Sequence, residues 1–493
     1  MSKHSRLEKA FLRSGILVDR QQDIVTLTRR HDGTSAQVLL PASFALEEKA
    51  VRQLLDFASV QAPGDTGHVC KACATPDFHP GSIAPVGSIV ASTADFVIPA
   101  AIGTDINCGM RLLRTGLTLS SAEEHRQALV AGLTHVLLRN GRDVPLRVQA
   151  FEALFAESPG HCLERLSEDG LWAEVDQARL FRELQGCIGL DEFGGRLEYA
   201  PEALRDRRRS LIRDPGLGTT GSGNHFVELQ VVDRLLDRHQ AFALGLRADE
   251  LVVMIHSGSR DVGFHVGQRW MDRARTAWPR GRRHPASGLY ALGGELAGEY
   301  LQAMGGAARY AWLNRVVLAE LVRKVLRETF QRDDSALLVD VPHNVVLQEQ
   351  GLNLHRKGAT PARQGDLLLI PGSMGDYSYI ASGLGHPDWL WSCSHGAGRS
   401  IRRQALRALK GPGDSALPWH CVTLREERRI EEAPGAYKPV GPVIDAQERA
   451  WLMRLSHDSA VHDASRPETN KPRIRGACLP RARLRPAVLP RGQ

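Results

Sequence analysis

Apolar positions along the chain follow two spacings, one typical of strands and one typical of helices. Between residues 15 and 40 apolar side chains alternate with polar ones, which predicts strands, whereas residues 46–60 place them at helical spacing. Residues 118–198 and 285–335 again show helical spacing; in the first of these stretches charge lies on the opposite face, which predicts an insertion of amphipathic helices. The pattern therefore predicts both strands and long helical segments.

Short uninterrupted apolar runs at 251–255 and 337–341 predict buried strands. His256 follows the first run directly, and His343 follows the second run after one proline. His225 stands at the exit of a Gly-rich loop, directly before another strand start. Active-site residues often collect where a rigid element opens into a loop, so these three histidines are candidates for metal binding or acid–base chemistry.

Composition and charge narrow the class of protein. The chain has 493 residues, 42% hydrophobic and 24% charged, which predicts two to four lobes or one large elaborated domain of an ordinary globular protein. A net charge of +7 favours a polyanionic partner. The eight cysteines are scattered, unlike a secreted disulfide scaffold, and the chain carries neither a signal peptide nor a run of 18 apolar residues. We therefore expect a cytoplasmic protein that does not bind a membrane.

One Gly-punctuated turn, AIGTDINCGMR at 101–111, presents Asp105 and Cys108 three residues apart. Gly103 and Gly109 bracket the pair and tolerate a tight backbone path. Both side chains could face one metal ion, and a thiolate can bridge two ions. The alternative is a turn aspartate followed by a small buried cysteine, because free cysteine often fills cores.

Three Gly-rich segments could bring backbone N–H groups close to phosphates. They are GLGTTGSGNHFVE at 216–228, PGSMG at 371–375 and SHGAGR at 394–399. Asn224 can donate an amide N–H to a phosphate oxygen, and His395 stands where it could attack a phosphorus atom. The last segment is predicted to open a basic helix, whose N-terminus would favour an anion; its arginines are Arg399, Arg402, Arg403 and Arg407.

Three further features have competing interpretations. Cys70 and Cys73 form a C-x-x-C pair without a second pair to complete a zinc site, so we expect a structural or local accessory role. Asp77 and His79, two apart in a Gly/Pro loop, either line a site or form a solvated turn. The arginines of 205–213 form either a solvated face or a contact with a phosphate backbone.

Six motifs in order, DINCGMR, GNHFVE, HSGSRDVG, HNVV, PGSMG and SHGAGR, resemble the RtcB-type RNA-splicing ligase family from about residue 76 to the C-terminus. The resemblance implies an α+β fold with packed sheets and surrounding helices around a deep, basic, metal-containing cleft. We therefore expect an N-terminal segment at 1–75 with strands and a helix. The RtcB-like catalytic domain would then span 76–493, with a helical insertion at about 118–200.

The resemblance also implies an activity. Family members join an RNA that ends in a 2′,3′-cyclic phosphate or 3′-phosphate to an RNA with a 5′-hydroxyl, using GTP and two Mn²⁺ ions, in tRNA splicing or RNA repair. A histidine carries GMP covalently during the reaction. The resemblance leaves open whether a helper protein speeds turnover. The alternatives are a metal-dependent phosphoesterase that never ligates and an RNA-binding homologue without ligase activity.

The same resemblance assigns roles to residues of this chain. Asp105, Cys108 and His225 resemble the ligands of one metal, Cys108, His256 and His343 those of the other, and His395 the guanylylated nucleophile. The residues that resemble the guanine-nucleotide contacts are Asn224, His225, Phe226, Val227, Glu228, His343, Asn344, Pro371, Gly372, Ser373, Met374, Ser378, His395, Gly396, Ala397, Gly398 and Arg491.

Two of these implications depart from the residue chemistry or from the family pattern. A Cys/His-rich set with one carboxylate suggests zinc by ligand softness, so manganese comes from the resemblance alone and zinc could compete for the site. Arg491 stands where the family has a lysine that reaches the nucleotide. Arg491 keeps the positive charge but is a planar fork, and Pro490 constrains its approach. The alternative is a basic tail over 464–493 that contacts RNA phosphates.

Overall fold

The computed structural model describes residues 6–62, 67–407, 421–455 and 483–486. The strands, numbered in chain order, are β1 (Ile16–Gln21), β2 (Ile24–Arg29), β3 (Ser35–Leu39), β4 (Val69–His79), β5 (Val86–Thr93), β6 (Phe96–Val97), β7 (Gly109–Thr118), β8 (Leu146–Arg147), β9 (Leu211–Ile212), β10 (Phe226–Arg234), β11 (Glu250–Ser257), β12 (Leu292–Gly293), β13 (Ala336–Pro342), β14 (Asn344–Glu349), β15 (Leu352–Lys357), β16 (Ala359–Pro361), β17 (Leu367–Ile370), β18 (Ser378–Gly383), β19 (Ser392–Ser394), β20 (Met453–Arg454) and β21 (Arg483–Pro486).

The α-helices are α1 (Arg6–Arg13), α2 (Glu48–Ala58), α3 (Pro99–Ile102), α4 (Leu119–Glu124), α5 (Arg126–Leu138), α6 (Val148–Ala156), α7 (Pro159–Glu164), α8 (Gln177–Glu183), α9 (Arg238–Ala243), α10 (Arg260–Thr276), α11 (Gly294–Phe330), α12 (Arg403–Arg407) and α13 (Val440–Arg449). Among the described residues, no helix is long and apolar enough to cross a membrane. The α+β class with packed sheets and helices is confirmed.

Two large sheets organise the strands. The first has the order β1-β2-β3-β4-β5-β15-β14 and is antiparallel except for the β3–β4 pair. Its apolar side chains pack on one face against α2, and on the other face against the segment around Trp389. The predicted boundary after residue 75 falls inside β4, and the division of the chain into domains stays a prediction.

The second sheet has the order β13-β7-β11-β10-β21-β18-β17, with β20 paired to β18. Strand β11 is buried along its whole length, as expected for an uninterrupted apolar run in the middle of a sheet. Leu251, Val253 and Ile255 belong to the core that includes α11, whereas Val252 and Met254 belong to a core on the opposite face. The strands predicted at 251–255 and 337–341 are confirmed.

Helix α11 is the long helix of the large core. Most of its residues from Ala303 to Leu326 are buried, so it lies within the protein rather than on its surface. Its buried Arg315, Glu320 and Arg323 are paired with opposite charges, as expected because an unpaired charge in a core costs about 3–5 kcal/mol by removal of one partner. Arg323 bonds Glu320 and Glu183, and Arg315 bonds Asp340.

The structure corrects two local expectations from the sequence. Asp77 and His79 lie at the end of strand β4, not in a loop, because the apolar stretch of β4 continues through Phe78. The basic helix does not open at Arg399: α12 begins at Arg403. The backbone of Arg399 instead bridges to Tyr437, and its side chain bonds Glu432.

Candidate functional site

Four strand ends meet at one edge of the second sheet and carry five potential metal ligands. Asp105 and Cys108 lie in the turn between α3 and β7, and His225 directly precedes β10. His256 lies near the end of β11, and His343 separates β13 from β14. Because β13, β7, β11 and β10 are consecutive neighbours in the sheet, their ends bring the five side chains together. We call these five residues the ligand cluster.

The ligand cluster contains two overlapping groups that share one sulfur. The Sγ of Cys108 lies 3.1 Å from the Nε2 atoms of both His225 and His256. The Nε2 of His225 lies 3.1 Å from Oδ2 of Asp105, and the Nε2 of His256 lies 3.2 Å from that of His343. Within each group the potential ligand atoms lie within 4.8 Å of one another. Cys108 belongs to both groups and is therefore placed to bridge two ions.

The donor atoms of the ligand cluster fit a cation. Nδ1 of His225 donates to the carbonyl of Thr220 at 2.8 Å, and Nδ1 of His256 donates to the carbonyl of Asn224 at 2.9 Å. A carbonyl can only accept, so each neutral ring turns an Nε2 lone pair toward the cluster. His343 Nδ1 is buried and has no hydrogen-bond partner among the described residues. The thiol of Cys108 has one proton to share among these acceptors, which leaves an excess of lone pairs that a metal ion would satisfy.

Burial keeps two imidazoles of the ligand cluster, those of His256 and His343, uncharged. Burial lowers the pKa of both His256 and His343 well below the usual value for histidine. Burial also raises the pKa of the Cys108 thiol, and the charge of Asp105 adds to that shift. For Asp105 itself, burial raises the pKa, but its contacts with His225 and Cys108 and the nearby Lys357 outweigh burial, so the pKa lies below its usual value. A bound cation would therefore displace the thiol proton of Cys108.

His395 lies beside the ligand cluster and is held by a carboxylate from the first sheet. Its Nδ1 lies 2.7 Å from Oδ2 of Asp77, a fully buried residue on β4, and its ring centroid lies 4.7 Å from that of His343. The Oγ1 of Thr75 donates to the other carboxylate oxygen at 2.5 Å. Gly398, at φ +77°, packs so closely that a Cβ would overlap the backbone of Asp77. We call Asp77 and His395 the nucleophile pair.

Asp77 is ionised in this setting. Burial raises its pKa, but hydrogen bonds from His395 and Thr75 outweigh burial and hold the pKa below its usual value. A carboxylate at this position accepts the proton on Nδ1 of His395, which leaves Nε2 with its lone pair free. His79 does not take part: it is half-buried, its Nδ1 bonds the carbonyl of Asp77, and desolvation lowers its pKa to about 4.

Several residues that resemble nucleotide contacts lie together on the second sheet. Gln230 donates to Glu228 at 3.1 Å and to the hydroxyl of Ser378 at 3.1 Å, which joins strands β10 and β18. Burial raises the pKa of the Glu228 carboxyl to about 7. Phe226 packs edge-on against the ring of His256, with ring centroids 5.5 Å apart, so β10 connects this group to the ligand cluster.

The two Gly-rich segments near the nucleophile pair contact each other. The backbone N–H of Ala397 donates to the carbonyl of Pro371 at 3.1 Å, so the segment that carries Gly396 lies against the one that carries Gly372. Ser373 and Met374 line a cavity of about 310 Å³. Its other lining residues are Gly375, Asp376, Pro434, Tyr437, Lys438 and Pro439.

Asn344 uses both polar ends of its side chain inside the site. Its Nδ2 donates to the carbonyl of Asp105 at 3.3 Å, and its Oδ1 accepts from the backbone of Gly358 at 2.9 Å. Lys357 lies next to this contact and donates to the carbonyl of Ile102 at 2.7 Å. Lys357 is a functional candidate that the sequence motifs did not single out. For Asp77 the sequence left a site and a solvated turn open, and its contact with His395 was not predicted, because the two residues lie 318 positions apart.

Other residues singled out by the sequence lie away from this centre, or their charges are paired with carboxylates. Cys73 is buried in a core cluster and Cys70 is exposed, and neither joins a group of three or more potential ligands among the described residues. The exposed arginines of 205–213 pair with Glu202, Glu152, Asp206 and Asp143, so a phosphate contact there stays a prediction. Arg491 lies outside the described residues.

The comparisons with a family model and with known proteins indicate the same family. Residues 53–460 match the family model described as tRNA-splicing ligase RtcB. The chain is 32% identical over 423 residues to the tRNA-splicing ligase RtcB of Thermococcus kodakarensis, covering 77% of this chain and 84% of the relative. It is 33% identical over 424 residues to that of Pyrobaculum aerophilum, with the same coverage. It is 32% identical over 461 residues to that of Archaeoglobus fulgidus, covering 83% and 89%.

Proposed function

The chain belongs to the RtcB family of tRNA-splicing ligases, and from that premise we propose that it joins RNA 3′-phosphate or 2′,3′-cyclic phosphate ends to 5′-hydroxyl ends with GTP and Mn²⁺. The family supports an RNA ligase with RNA substrates. The observation that carries the finer proposal is the nucleophile pair: a histidine whose Nδ1 lies 2.7 Å from a buried carboxylate, next to a cluster of metal ligands.

His395 is the proposed nucleophile. Because Asp77 holds the proton on Nδ1, Nε2 can attack the α-phosphorus of GTP, so that an N–P bond forms and diphosphate leaves. An oxygen of the RNA 3′-phosphate then attacks the same phosphorus and releases His395. The 5′-hydroxyl of the second RNA finally attacks the activated 3′-phosphate and expels GMP. An RNA with a cyclic end is first opened by water to the 3′-phosphate.

The ligand cluster is the proposed site of two Mn²⁺ ions. Asp105, Cys108 and His225 would hold one, and Cys108, His256 and His343 the other. When bound, the ions would neutralise phosphate charge during phosphoryl transfer. Ligand softness alone would favour Zn²⁺, so the choice of metal rests on the family.

The guanine nucleotide is proposed to lie between the Gly-rich segments and the second sheet. The backbone of 371–374 and 396–398 would contact it from one side, and Asn224, Phe226 and Glu228 from the other. Since its pKa is raised to about 7, Glu228 is poised to take up or give a proton when hydrogen-bonding a base edge. Arg491 is proposed as a further contact, on the family pattern alone.

Covalent labelling tests the proposal. Protein incubated with α-labelled GTP and Mn²⁺ should retain label in a bond that is stable to alkali and labile to acid, as a phosphoramidate is. His395→Ala should not be labelled. A protein that shows no adduct across several metals, yet opens cyclic ends or releases phosphate, would be a metal-dependent phosphoesterase. One that binds RNA without either activity would be a silent homologue.

A further inference from the structure

Two adjacent polar residues of α11, Asn314 and Arg315, lie buried beneath the ligand cluster. Their side chains are 0% and 1% exposed. Consecutive helical residues point about 100° apart, so the two side chains serve different parts of the site. Neither residue belongs to the ligand cluster. The polar atoms of both form hydrogen bonds with the segments that carry the ligands.

Arg315 ties together two of the ligand-bearing segments. One guanidinium nitrogen donates to the carbonyl of Asn107 at 2.8 Å and to the carbonyl of Ser257 at 3.1 Å. Asn107 directly precedes Cys108, and Ser257 directly follows His256. The distance between these two backbone carbonyls is therefore set by a single planar group.

The other guanidinium nitrogens of Arg315 bond to the strand that leads to His343. They bond both carboxylate oxygens of Asp340 at 2.6–3.1 Å, and Asp340 lies on β13, three residues before His343. The turn at Gly109 packs directly on this group, since a Cβ there would lie 3.0 Å from the guanidinium carbon of Arg315 and 2.6 Å from the carbonyl oxygen of Val341. Arg315 thus contacts the backbone or strand of Cys108, His256 and His343.

Asn314 supports a fourth ligand, His225, through the Gly-rich loop. Its Oδ1 accepts from the backbone of Gly218 at 2.8 Å, and its Nδ2 donates to the carbonyl of Thr219 at 3.1 Å. The next carbonyl along, that of Thr220, fixes the ring of His225. Nδ2 also lies 3.0 Å from the hydroxyl of Ser257.

We propose that Asn314 and Arg315 are positioning residues of the metal centre: Arg315 sets the spacing of Cys108, His256 and His343, and Asn314 sets the orientation of His225. The inference rests on the proposed metal binding of the ligand cluster. Lysine cannot reproduce the role of Arg315, because its single ammonium cannot bond two carbonyls and a carboxylate in one plane.

A matched control separates positioning from ordinary core stability. Arg323 lies on the same helix, is equally buried and pairs with Glu183 and Glu320. Its other hydrogen bond goes to Ser335 at the far end of β13 from His343, and within the described part of the chain it has no hydrogen bond to the ligand cluster or to a residue next to one of its members. Arg315→Lys and Arg323→Lys should both lower the melting temperature. Only Arg315→Lys should change metal binding.

The experiment is Co²⁺ titration of the folded full-length protein at 25 °C, followed by the thiolate-to-cobalt absorption band and by chelator competition. We expect wild type and Arg323→Lys to bind two ions alike. Arg315→Lys should bind about 10- to 100-fold more weakly, with a shifted band, as for loss of groups that orient metal ligands. Asn314→Ser should lose the ion proposed at Asp105, Cys108 and His225 and keep the other.

The inference would be overturned if Arg315→Lys bound Co²⁺ with the affinity and absorption band of wild type. It would also be overturned if Arg323→Lys weakened Co²⁺ binding as much as Arg315→Lys does. Either result would leave the metal centre in place. Should Arg315→Lys not fold, the stoichiometry of Asn314→Ser decides: two ions bound as in wild type would contradict the positioning role. A wild-type protein that takes up no Co²⁺ would overturn the proposed metal centre and this inference together.

Discussion

The ligand cluster and the nucleophile pair lie side by side but are held in different ways. The five ligands come from consecutive strand ends of one sheet and are supported from below by a buried network around Arg315 and Asp340. The nucleophile pair joins a strand of the first sheet to a Gly-rich segment, and one hydrogen bond of 2.7 Å fixes the ring of His395. The comparison teaches that the proposed metal ligands are supported by many contacts, whereas the orientation of the proposed nucleophile depends on one carboxylate.

Removing the shared ligand should have the largest effect. Cys108→Ala takes a ligand from both groups, so both ions and every step that depends on them should be lost, with GTP labelling and RNA joining reduced more than about 1,000-fold. Metal content by mass spectrometry of the desalted protein checks this, with Cys162→Ala, another fully buried cysteine, as the control. Near-normal joining by Cys108→Ala would contradict the two-metal assignment.

Removing the proposed nucleophile should abolish the adduct without changing metal binding, which distinguishes the two regions. His395→Ala should lose the covalent adduct completely but keep the metal content of wild type, because the imidazole of His395 belongs to neither ligand group. Labelling with GTP and metal analysis of the same preparation check both halves. Loss of metal together with the adduct would show that the regions are not independent.

Breaking the single hydrogen bond of the nucleophile pair should have an intermediate effect. Asp77→Asn keeps the size of the side chain but removes the charge that holds the proton on Nδ1 of His395, so guanylylation should slow by about 100-fold or more. Single-turnover labelling measures this rate. The control is Thr75→Val, which removes one hydrogen bond to Asp77 and keeps the carboxylate, and should slow the rate less.

The smallest effect concerns Glu228, on the strand that joins the nucleotide contacts to the ligand cluster. Its pKa is raised from 4.5 to about 7, so the unfolded chain releases the proton more readily than the folded protein, and stability falls as pH rises from 4.5 to 7. Glu228→Gln should therefore melt about 2 °C higher than wild type at pH 8 and no higher at pH 4.5. A difference that does not depend on pH would contradict the raised pKa of this carboxyl.

Sequence patterns could predict the elements of the ligand cluster but not how they meet. The apolar runs before His256 and His343 mark buried strands, and the glycines around Cys108 mark a turn. The order of the strands in the sheet is not a local property, so the pattern could not say that these ends are neighbours. The resemblance to a family supplied that grouping.

The contact within the nucleophile pair could not be predicted from the local sequence. Asp77 and His395 are 318 residues apart, and the sequence near Asp77 fits a solvated turn as well as a site. Arg315 likewise looks like one polar residue in an apolar helix until its partners at Asn107, Ser257 and Asp340 are known. The helix expected after Gly398 begins later, because Arg399 and Tyr437 pair through their backbones.

The most direct test of the comparison is to supply the product of the first steps. RNA whose 3′-phosphate already carries GMP needs the metal centre but not the histidine for joining to a 5′-hydroxyl RNA. We expect His395→Ala to seal this RNA at a rate close to that of wild type and Cys108→Ala not to seal it. Failure of His395→Ala to seal it, or sealing by Cys108→Ala, would contradict the division of labour between the two regions.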